Sequence, residues 1–184
     1  MRLFIAVPLP PEIAVRAAAC LPPALPGLRP VQPDLMHITL AFLGRVADER
    51  LEAAIEAARA AVRGSPAFEV SLDHAGRFPP NGRPRVVWLG IGTGLDELTG
   101  LAADVARELR QRAFALEDRP VSPHLTLARV PPDATGPGSR TIAAAIESLT
   151  IPALRLTVDR VAVVESRLSP DGPRYTDRAV VPLS

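Results

Sequence analysis

The tetrapeptide HITL at residues 37–40 recurs as HLTL at residues 124–127, which is 87 positions later. Each copy follows a proline-containing loop, begins a run of residues typical of a strand, and precedes a loop and a helical pattern. A chain that repeats one strand motif in the same local context is most simply built from two similar halves. The sequence therefore predicts a pseudo-symmetric molecule in which each half contributes one copy of the motif.

Apolar periodicity predicts strands and helices mixed along the chain, which favours the α+β class. Strands are predicted over residues 2–9, 36–43, 67–75, 85–92, 123–130, 154–165 and 174–181. Helices are predicted over residues 11–20, 48–63, 95–113 and 139–149, with Asp48 and Thr93 as cap residues. No obvious linker separates the halves, so we expect one bilobal domain over residues 1–184.

Strand alternation sorts the two motifs into an aliphatic face and a polar face. Side chains at alternate strand positions point the same way, so His37 shares a face with Thr39, and His124 shares one with Thr126. The Ile and Leu residues between them point to the opposite face and can enter a core. The two imidazoles and the two hydroxyls can thus face one common cleft.

A pair of histidines suits phosphoryl transfer without a metal ion. A neutral imidazole takes a proton from the attacking water, a protonated one gives a proton to the leaving oxygen, and histidine titrates near neutral pH. Threonine hydroxyls and arginine can bind the phosphate oxygens. The sequence has no HExxH motif, Cys pair or dense carboxylate cluster, so neither a metal nor another cofactor is expected.

Composition removes other function classes. All 21 basic residues are arginine, so a lysyl–AMP intermediate, a Schiff base and a P-loop lysine are excluded. A net charge of +1 argues against a protein that binds long nucleic acid by neutralising many phosphates, but it does not argue against binding of one RNA end. No apolar run approaches ~18 residues, and the opening MRLFIAVPLPPEI lacks the features of a signal peptide. We therefore expect a cytoplasmic protein that makes no membrane contact.

At the two motifs the sequence resembles the two-histidine (2H) phosphoesterase superfamily, which is defined by paired HxTx motifs. Within it, the chain is similar to the LigT-like RNA 2′,3′-cyclic phosphodiesterases, historically called 2′–5′ RNA ligases. The similar segments span nearly the whole chain: RLFIAVPLP, HITLAFLG, GRFPPNGRPRVVWLGI, SPHLTLARV and ESRLSPDGPRY. The resemblance implies a bilobal α+β fold, mainly antiparallel sheets with flanking helices, with the catalytic cleft between the lobes.

The resemblance also implies an activity and roles for the motif residues. It implies metal-independent hydrolysis of a terminal 2′,3′-cyclic phosphate, on RNA ends or nucleotides, to a 2′-phosphomonoester, with no obligate protein partner. It implies His37 as the proton donor, His124 as the proton acceptor, and Thr39 and Thr126 on the phosphate. The residues alone do not separate donor from acceptor, because the motifs are nearly symmetric. Arg129, which completes HLTLAR, is a further candidate for phosphate binding.

Two other functions stay open. One keeps the chemistry but acts on small cyclic nucleotides or 2′–5′ oligonucleotides, with reversible, ATP-independent 2′–5′ ligation of RNA. The other is a non-catalytic module that uses the cleft only to bind a nucleotide. Intact histidines in both motifs argue against the module, because binding alone requires no acid–base pair.

Residues that flank the motifs carry weaker expectations. Alternation places Phe42 in the core, and it places Arg129 on the leucine face unless the strand ends or bulges before it. Arg77 and Phe78 are expected in a Pro/Gly loop, where they could meet a nucleotide. His74 has no Thr partner and is expected to be a structural or surface residue, with Asp73 on the opposite face of its strand.

Overall fold

The computed structural model describes residues 1–22, 27–118, 121–131, 139–170 and 172–184. Its strands are β1 (Arg2–Pro8), β2 (Arg29–Pro30), β3 (His37–Arg45), β4 (Phe68–Phe78), β5 (Val86–Ile91), β6 (His124–Arg129), β7 (Leu154–Val158), β8 (Arg160–Ser169) and β9 (Gly172–Pro182). Its helices are α1 (Pro11–Ala18), α2 (Leu51–Ala61), α3 (Leu95–Gln111) and α4 (Ser139–Glu147). Within the described ranges, no helix combines the length and the apolar character that a membrane crossing requires.

The strands form one antiparallel sheet in the order β7-β4-β5-β6-β3-β1-β8-β9, with the short β2 beside β6. Strands β3 and β6, which carry the two motifs, meet at the centre through the pairing of Ile38 with Leu125. We call β3, β1, β8 and β9 the His37 half, and β6, β5, β4 and β7 the His124 half. The predicted α+β class and the two similar halves are confirmed.

Helices cover the aliphatic face of the central strands. Ile38, Leu40, Leu125 and Leu127 are at most 1% exposed. They join one core with residues of the first three helices, among them Ile13, Ala17, Ile55, Ala58, Leu98 and Val105. Full burial of one such Leu or Ile contributes about 1.5–3 kcal/mol, so this face holds the strands in register. His37 and His124 lie on the opposite face, which we call the histidine face.

The segment 154–165 is two strands, where the sequence predicts one. Strand β7 pairs with β4 in the His124 half, and β8 pairs with β1 in the His37 half. The burial of β7 alternates residue by residue, whereas β8 contains a continuous buried run from Val161 to Glu165. The change in pattern at Asp159 marks a chain that leaves one half of the sheet and enters the other.

The two predicted helix caps are wrong. Asp48 lies in a 3-10 turn before α2, and its carboxylate accepts a hydrogen bond from the N-terminal ammonium at 2.8 Å. Helix α3 is preceded by Gly94 rather than capped by Thr93. Gly94 has φ of 80°, and a Cβ there would overlap the carbonyl oxygen of Glu69, so both backbone conformation and space require glycine.

Candidate active site

The two motifs lie side by side at the centre of the sheet. His37 and His124 are the first residues of β3 and β6, and these strands are antiparallel with Ile38 paired to Leu125. This register sets His37 beside Thr126 and sets Thr39 beside His124. The predicted faces are correct, and each histidine has the threonine of the other motif as its cross-strand neighbour.

Each imidazole is oriented by a backbone carbonyl two residues before it. The Nδ1 of His37 bonds to the carbonyl oxygen of Leu35 at 2.8 Å, and the Nδ1 of His124 bonds to that of Ser122 at 2.7 Å. A carbonyl only accepts hydrogen bonds, so Nδ1 carries the proton in both rings. The Nε2 atom of each ring is therefore the one available for proton transfer.

Burial and charge lower the pKa of both histidines. Burial is the largest cause at each ring, since it disfavours the charged form. The carbonyls of Leu35 and Ser122 act in the opposite direction, and the positive charge of Arg129 lowers both values further. The charge of His124 makes a smaller contribution to the lowered pKa of His37, so the two rings lie within electrostatic reach of each other.

Arg129 lies within electrostatic reach of both histidines because β6 contains a bulge. Trp88 on β5 pairs with Thr126, but the next β5 residue, Val87, pairs with Ala128, so Leu127 is the extra residue. The alternation shifts by one position after the bulge, and the Arg129 side chain becomes exposed rather than entering the leucine core. The bulge was one of the two conditions under which the sequence allowed this placement.

Strand β3 contains the equivalent bulge at Leu40. On β1, Ala6 pairs with Thr39 and Ile5 pairs with Ala41. The shift turns Phe42 outward, where it is 58% exposed and its ring lies 6.4 Å from that of Phe4. The prediction that Phe42 belongs to the core is therefore wrong.

Aromatic rings flank each histidine, and sequence reasoning missed most of them. The His37 ring lies 4.7 Å from Phe4 and 5.4 Å from Tyr175, measured between ring centroids. The His124 ring lies 5.2 Å from Phe78 and 6.2 Å from Trp88. No sequence signal places Phe4, Trp88 or Tyr175 beside the histidines, because the three residues come from different strands, β1, β5 and β9.

The segment expected to be a Pro/Gly loop is partly strand. Both Arg77 and Phe78 belong to β4, which continues to Phe78 before the loop begins. Phe78 reaches the histidine face, whereas the Arg77 guanidinium donates hydrogen bonds to the carbonyls of Pro79 at 3.4 Å and Gly82 at 2.8 Å. The Arg77 guanidinium is therefore engaged by the loop that follows β4.

A cavity of about 380 Å³ opens beside His37. Its walls are mostly apolar and include Phe4, Ala6, Pro8, Leu35, Val164 and Tyr175. Two carboxylates, Asp34 and Asp177, also line it. Such a cavity suits a flat, uncharged group with hydrogen-bond donors and disfavours an anion.

His74 is a surface residue, as expected, but the placement predicted for Asp73 is wrong. The His74 side chain is 55% exposed, and its Nδ1 bonds to the Asp73 carboxylate at 2.8 Å. The pairing of β4 with β5 skips one residue between Leu72 and His74, so Asp73 is not held on the opposite face. Across the described ranges, no three His, Cys, Asp or Glu side chains cluster as ligands of one metal ion would.

The family model and the curated relatives that match this chain indicate the same family. The model of the 2′-5′ RNA ligase superfamily matches residues 9–169. A curated RNA 2′,3′-cyclic phosphodiesterase from Archaeoglobus fulgidus is 35% identical over 182 residues, covering 98% of this chain and 99% of the relative. Another from Thermotoga maritima is 32% identical, covering 95% of this chain and 91% of the relative.

Solved structures agree with the sequence relatives. A protein of Thermus thermophilus has a TM-score of 0.76 at 34% identity, and LigT of E. coli complexed with 3′-AMP has a TM-score of 0.76 at 32% identity. Each match covers 100% of this chain and 98% of the other. The same fold therefore extends over the full length of both.

Proposed function

Because the chain belongs to the 2′-5′ RNA ligase superfamily of 2H phosphoesterases, we infer that it is an RNA 2′,3′-cyclic phosphodiesterase. The reaction hydrolyses a terminal 2′,3′-cyclic phosphate to a 2′-phosphomonoester. The observation that carries the proposal for its site is the pair of imidazoles, each anchored at Nδ1 by a carbonyl, with both Nε2 atoms available on one face.

In the proposed reaction His124 is the proton acceptor and His37 is the proton donor. Water attacks phosphorus opposite the 3′ oxygen while the Nε2 of His124 takes its proton. The bond from phosphorus to the 3′ oxygen breaks, and the Nε2 of His37 gives its proton to that oxygen. The protons balance: the reaction leaves His124 protonated and His37 neutral, and proton exchange with solvent restores the starting states.

Thr39, Thr126 and Arg129 are proposed to bind the phosphate. Each threonine lies on the neighbouring strand, beside the histidine of the other motif. From there its hydroxyl can donate a hydrogen bond to a non-bridging oxygen of a phosphate held between the histidines. Arg129 already acts on both rings electrostatically, so its charge is well placed to stabilise negative charge that gathers on those oxygens. Residues 1–184 are proposed to act as one bilobal catalytic domain with one motif in each lobe.

The proposal is tested by assaying a nucleoside 2′,3′-cyclic phosphate and a cyclic-phosphate-ended oligonucleotide, both with EDTA present. We expect turnover to persist in EDTA. His37→Ala and His124→Ala should each lower kcat by about 10²–10⁴-fold, the usual contribution of a general acid or base. Arg110→Ala, which changes an exposed residue of α3 away from the motifs, is the matched control and should retain activity.

The alternatives give different results in the same assay. Binding of the nucleotide without hydrolysis would support the non-catalytic module. Complete loss of activity in EDTA would contradict the metal-free mechanism. Near-normal turnover by either histidine variant would show that the assigned pair is wrong.

A further inference from the structure

His74 stands in one transverse row with His124. On β5, Gly90 pairs with His74 of β4 on one side and with His124 of β6 on the other. Residues paired across antiparallel strands point to the same face. A third histidine therefore belongs to the histidine face, and only a glycine separates it from the motif histidine.

That glycine lets the His74 ring reach toward His124. A Cβ on Gly90 would overlap the Nε2 of His74, so the imidazole fills the space that a side chain of residue 90 would take. Opposed Cβ atoms of antiparallel strands lie about 4.5–5.5 Å apart, so the His74 ring occupies the position next to the Cβ of His124 in this row.

A short chain of hydrogen bonds fixes the orientation of His74. Its Nδ1 bonds to Oδ1 of Asp73 at 2.8 Å, and Oδ2 of Asp73 accepts from the Ser71 hydroxyl at 3.0 Å. The Ser71 oxygen in turn accepts from the backbone N–H of Thr93 at 2.8 Å. The bond from His74 is the largest cause of the lowered pKa of Asp73, so the carboxylate stays ionised. The Asp73 carboxylate therefore fixes Nδ1, and Nε2 is the ring nitrogen that lies over Gly90.

Charge is distributed unevenly over the histidine face. In the His124 half, Arg129 is directly paired with Arg29 of β2, and both side chains are exposed. Like charges directly opposite each other on a sheet repel, and a bound anion would relieve that repulsion. In the His37 half, Asp34 and Asp177 line the cavity instead. These charges favour the phosphates of an RNA chain beside Arg129 and disfavour them in the cavity beside His37.

We propose that His74 binds the 5′ phosphate of the terminal nucleotide, which is the phosphodiester that joins this nucleotide to the rest of the RNA. The inference rests on the proposed function, since the cyclic phosphate must first lie between His37 and His124. The next phosphate is one ribose away, and the charge distribution favours the side of His124, where His74 stands, over the cavity beside His37. In this complex the ring donates from Nδ1 to Asp73 and from Nε2 to a phosphate oxygen.

The test compares adenosine 2′,3′-cyclic phosphate with the same nucleotide carrying a 5′ phosphate. The wild-type protein should prefer the 5′-phosphorylated form in kcat/KM by about tenfold or more, as one charge-assisted hydrogen bond allows. His74→Ala should lower that ratio about tenfold, mainly through KM. Asp73→Asn should lower it less, because the amide oxygen still accepts from Nδ1 but carries no charge. Arg110→Ala should keep the wild-type ratio.

The other outcomes overturn either the role of His74 or the proposed function. A wild-type ratio near one, or a ratio that His74→Ala leaves unchanged, overturns the role of His74 while the proposed function stands. Equal losses on both substrates would assign His74 to the chemistry or the fold, and would also overturn it. Failure of the wild-type protein to hydrolyse either substrate would instead defeat the proposed function.

Discussion

At the scale of single residues, the acid–base pair is set by what surrounds each ring. Burial lowers the pKa of His37 and of His124, and Arg129 lowers both further. A lowered pKa favours the neutral form that His124 needs as a proton acceptor. It works against the protonated form that His37 needs as a proton donor, until the phosphate brings negative charge beside the ring.

The first residue-scale prediction concerns the pH dependence of kcat/KM. Activity falls at low pH as His124 takes a proton, and falls at high pH as His37 loses one, so the profile is bell-shaped. Because both pKa values are lowered, both limbs lie at lower pH than the ordinary histidine value of about 6.5 would give. A rate profile between about pH 4 and 9 measures this. A profile that is flat over that range would contradict two titrating groups.

Arg129→Ala should move both limbs of that profile to higher pH. Removing a positive charge makes protonation of each imidazole easier, so both pKa values rise. The maximum rate should also fall, since the phosphate loses a charged partner. Arg129→Lys is the matched control: it keeps the charge and should keep the position of both limbs. Opposite shifts, or a shift in Arg129→Lys equal to that in Arg129→Ala, would mean that the charge of Arg129 is not the cause.

At the scale of elements, the equivalent bulges in β3 and β6 decide what lines the cleft. Alternation along a single strand predicts the faces of the HxT residues correctly, since these precede the bulge. It fails for Phe42 and leaves Arg129 open, because a bulge arises from the pairing of two strands and is not visible in the pattern of either one. The two halves then differ chemically at equivalent positions, with an aromatic ring in one and a guanidinium in the other.

Gly76 on β4 gives an element-scale prediction. It pairs with Trp88, and a Cβ on Gly76 would overlap the indole ring. Gly76→Ala should push the ring away from Phe78 and His124, destabilise the fold by about 1–3 kcal/mol as overpacking does, and lower activity. Urea unfolding gives the free energy change. Trp88 is the only tryptophan, so the native fluorescence spectrum reports its displacement directly.

Gly100→Ala is the matched control for this substitution. Gly100 lies inside α3, and a Cβ there meets nothing within 4 Å. Alanine should stabilise the helix by about 0.5–1 kcal/mol and leave both fluorescence and activity as they were. If Gly76→Ala behaves like Gly100→Ala, the close packing of Trp88 on β4 does not shape the site.

At the scale of the whole molecule, the repeated motif was enough to predict two similar halves and their shared face. The path of the chain between the halves was not predicted, because the step from β7 to β8 takes a single residue, Asp159, without the Gly or Pro that usually marks a turn. The aromatic surroundings were missed for a different reason. Phe4 and Tyr175 reach His37 from strands at the two ends of the chain, and only the order of strands in the sheet brings them together.

The absence of lysine is also a property of the whole chain, and it limits what any ligation could be. Without a lysyl–AMP intermediate, joining of RNA ends has to start from the cyclic phosphate itself: an RNA 5′-hydroxyl replaces water as the nucleophile, the new bond to phosphorus forms, and the bond to the 3′ oxygen breaks. The same two histidines then keep their roles: His124 takes the proton of the 5′-hydroxyl, and His37 gives its proton to the 3′ oxygen. We expect a cyclic-phosphate-ended oligonucleotide and a 5′-hydroxyl oligonucleotide to give a small amount of 2′–5′ joined product, equal with and without ATP.

His37→Ala and His124→Ala should abolish this joining in parallel with hydrolysis, since both reactions use the same base on the nucleophile and the same acid on the 3′ oxygen. Gel analysis of the joined product, with and without ATP, measures both effects. Strict dependence on ATP, or joining that survives the loss of either histidine, would require a second chemistry that a chain without lysine has to supply from other residues.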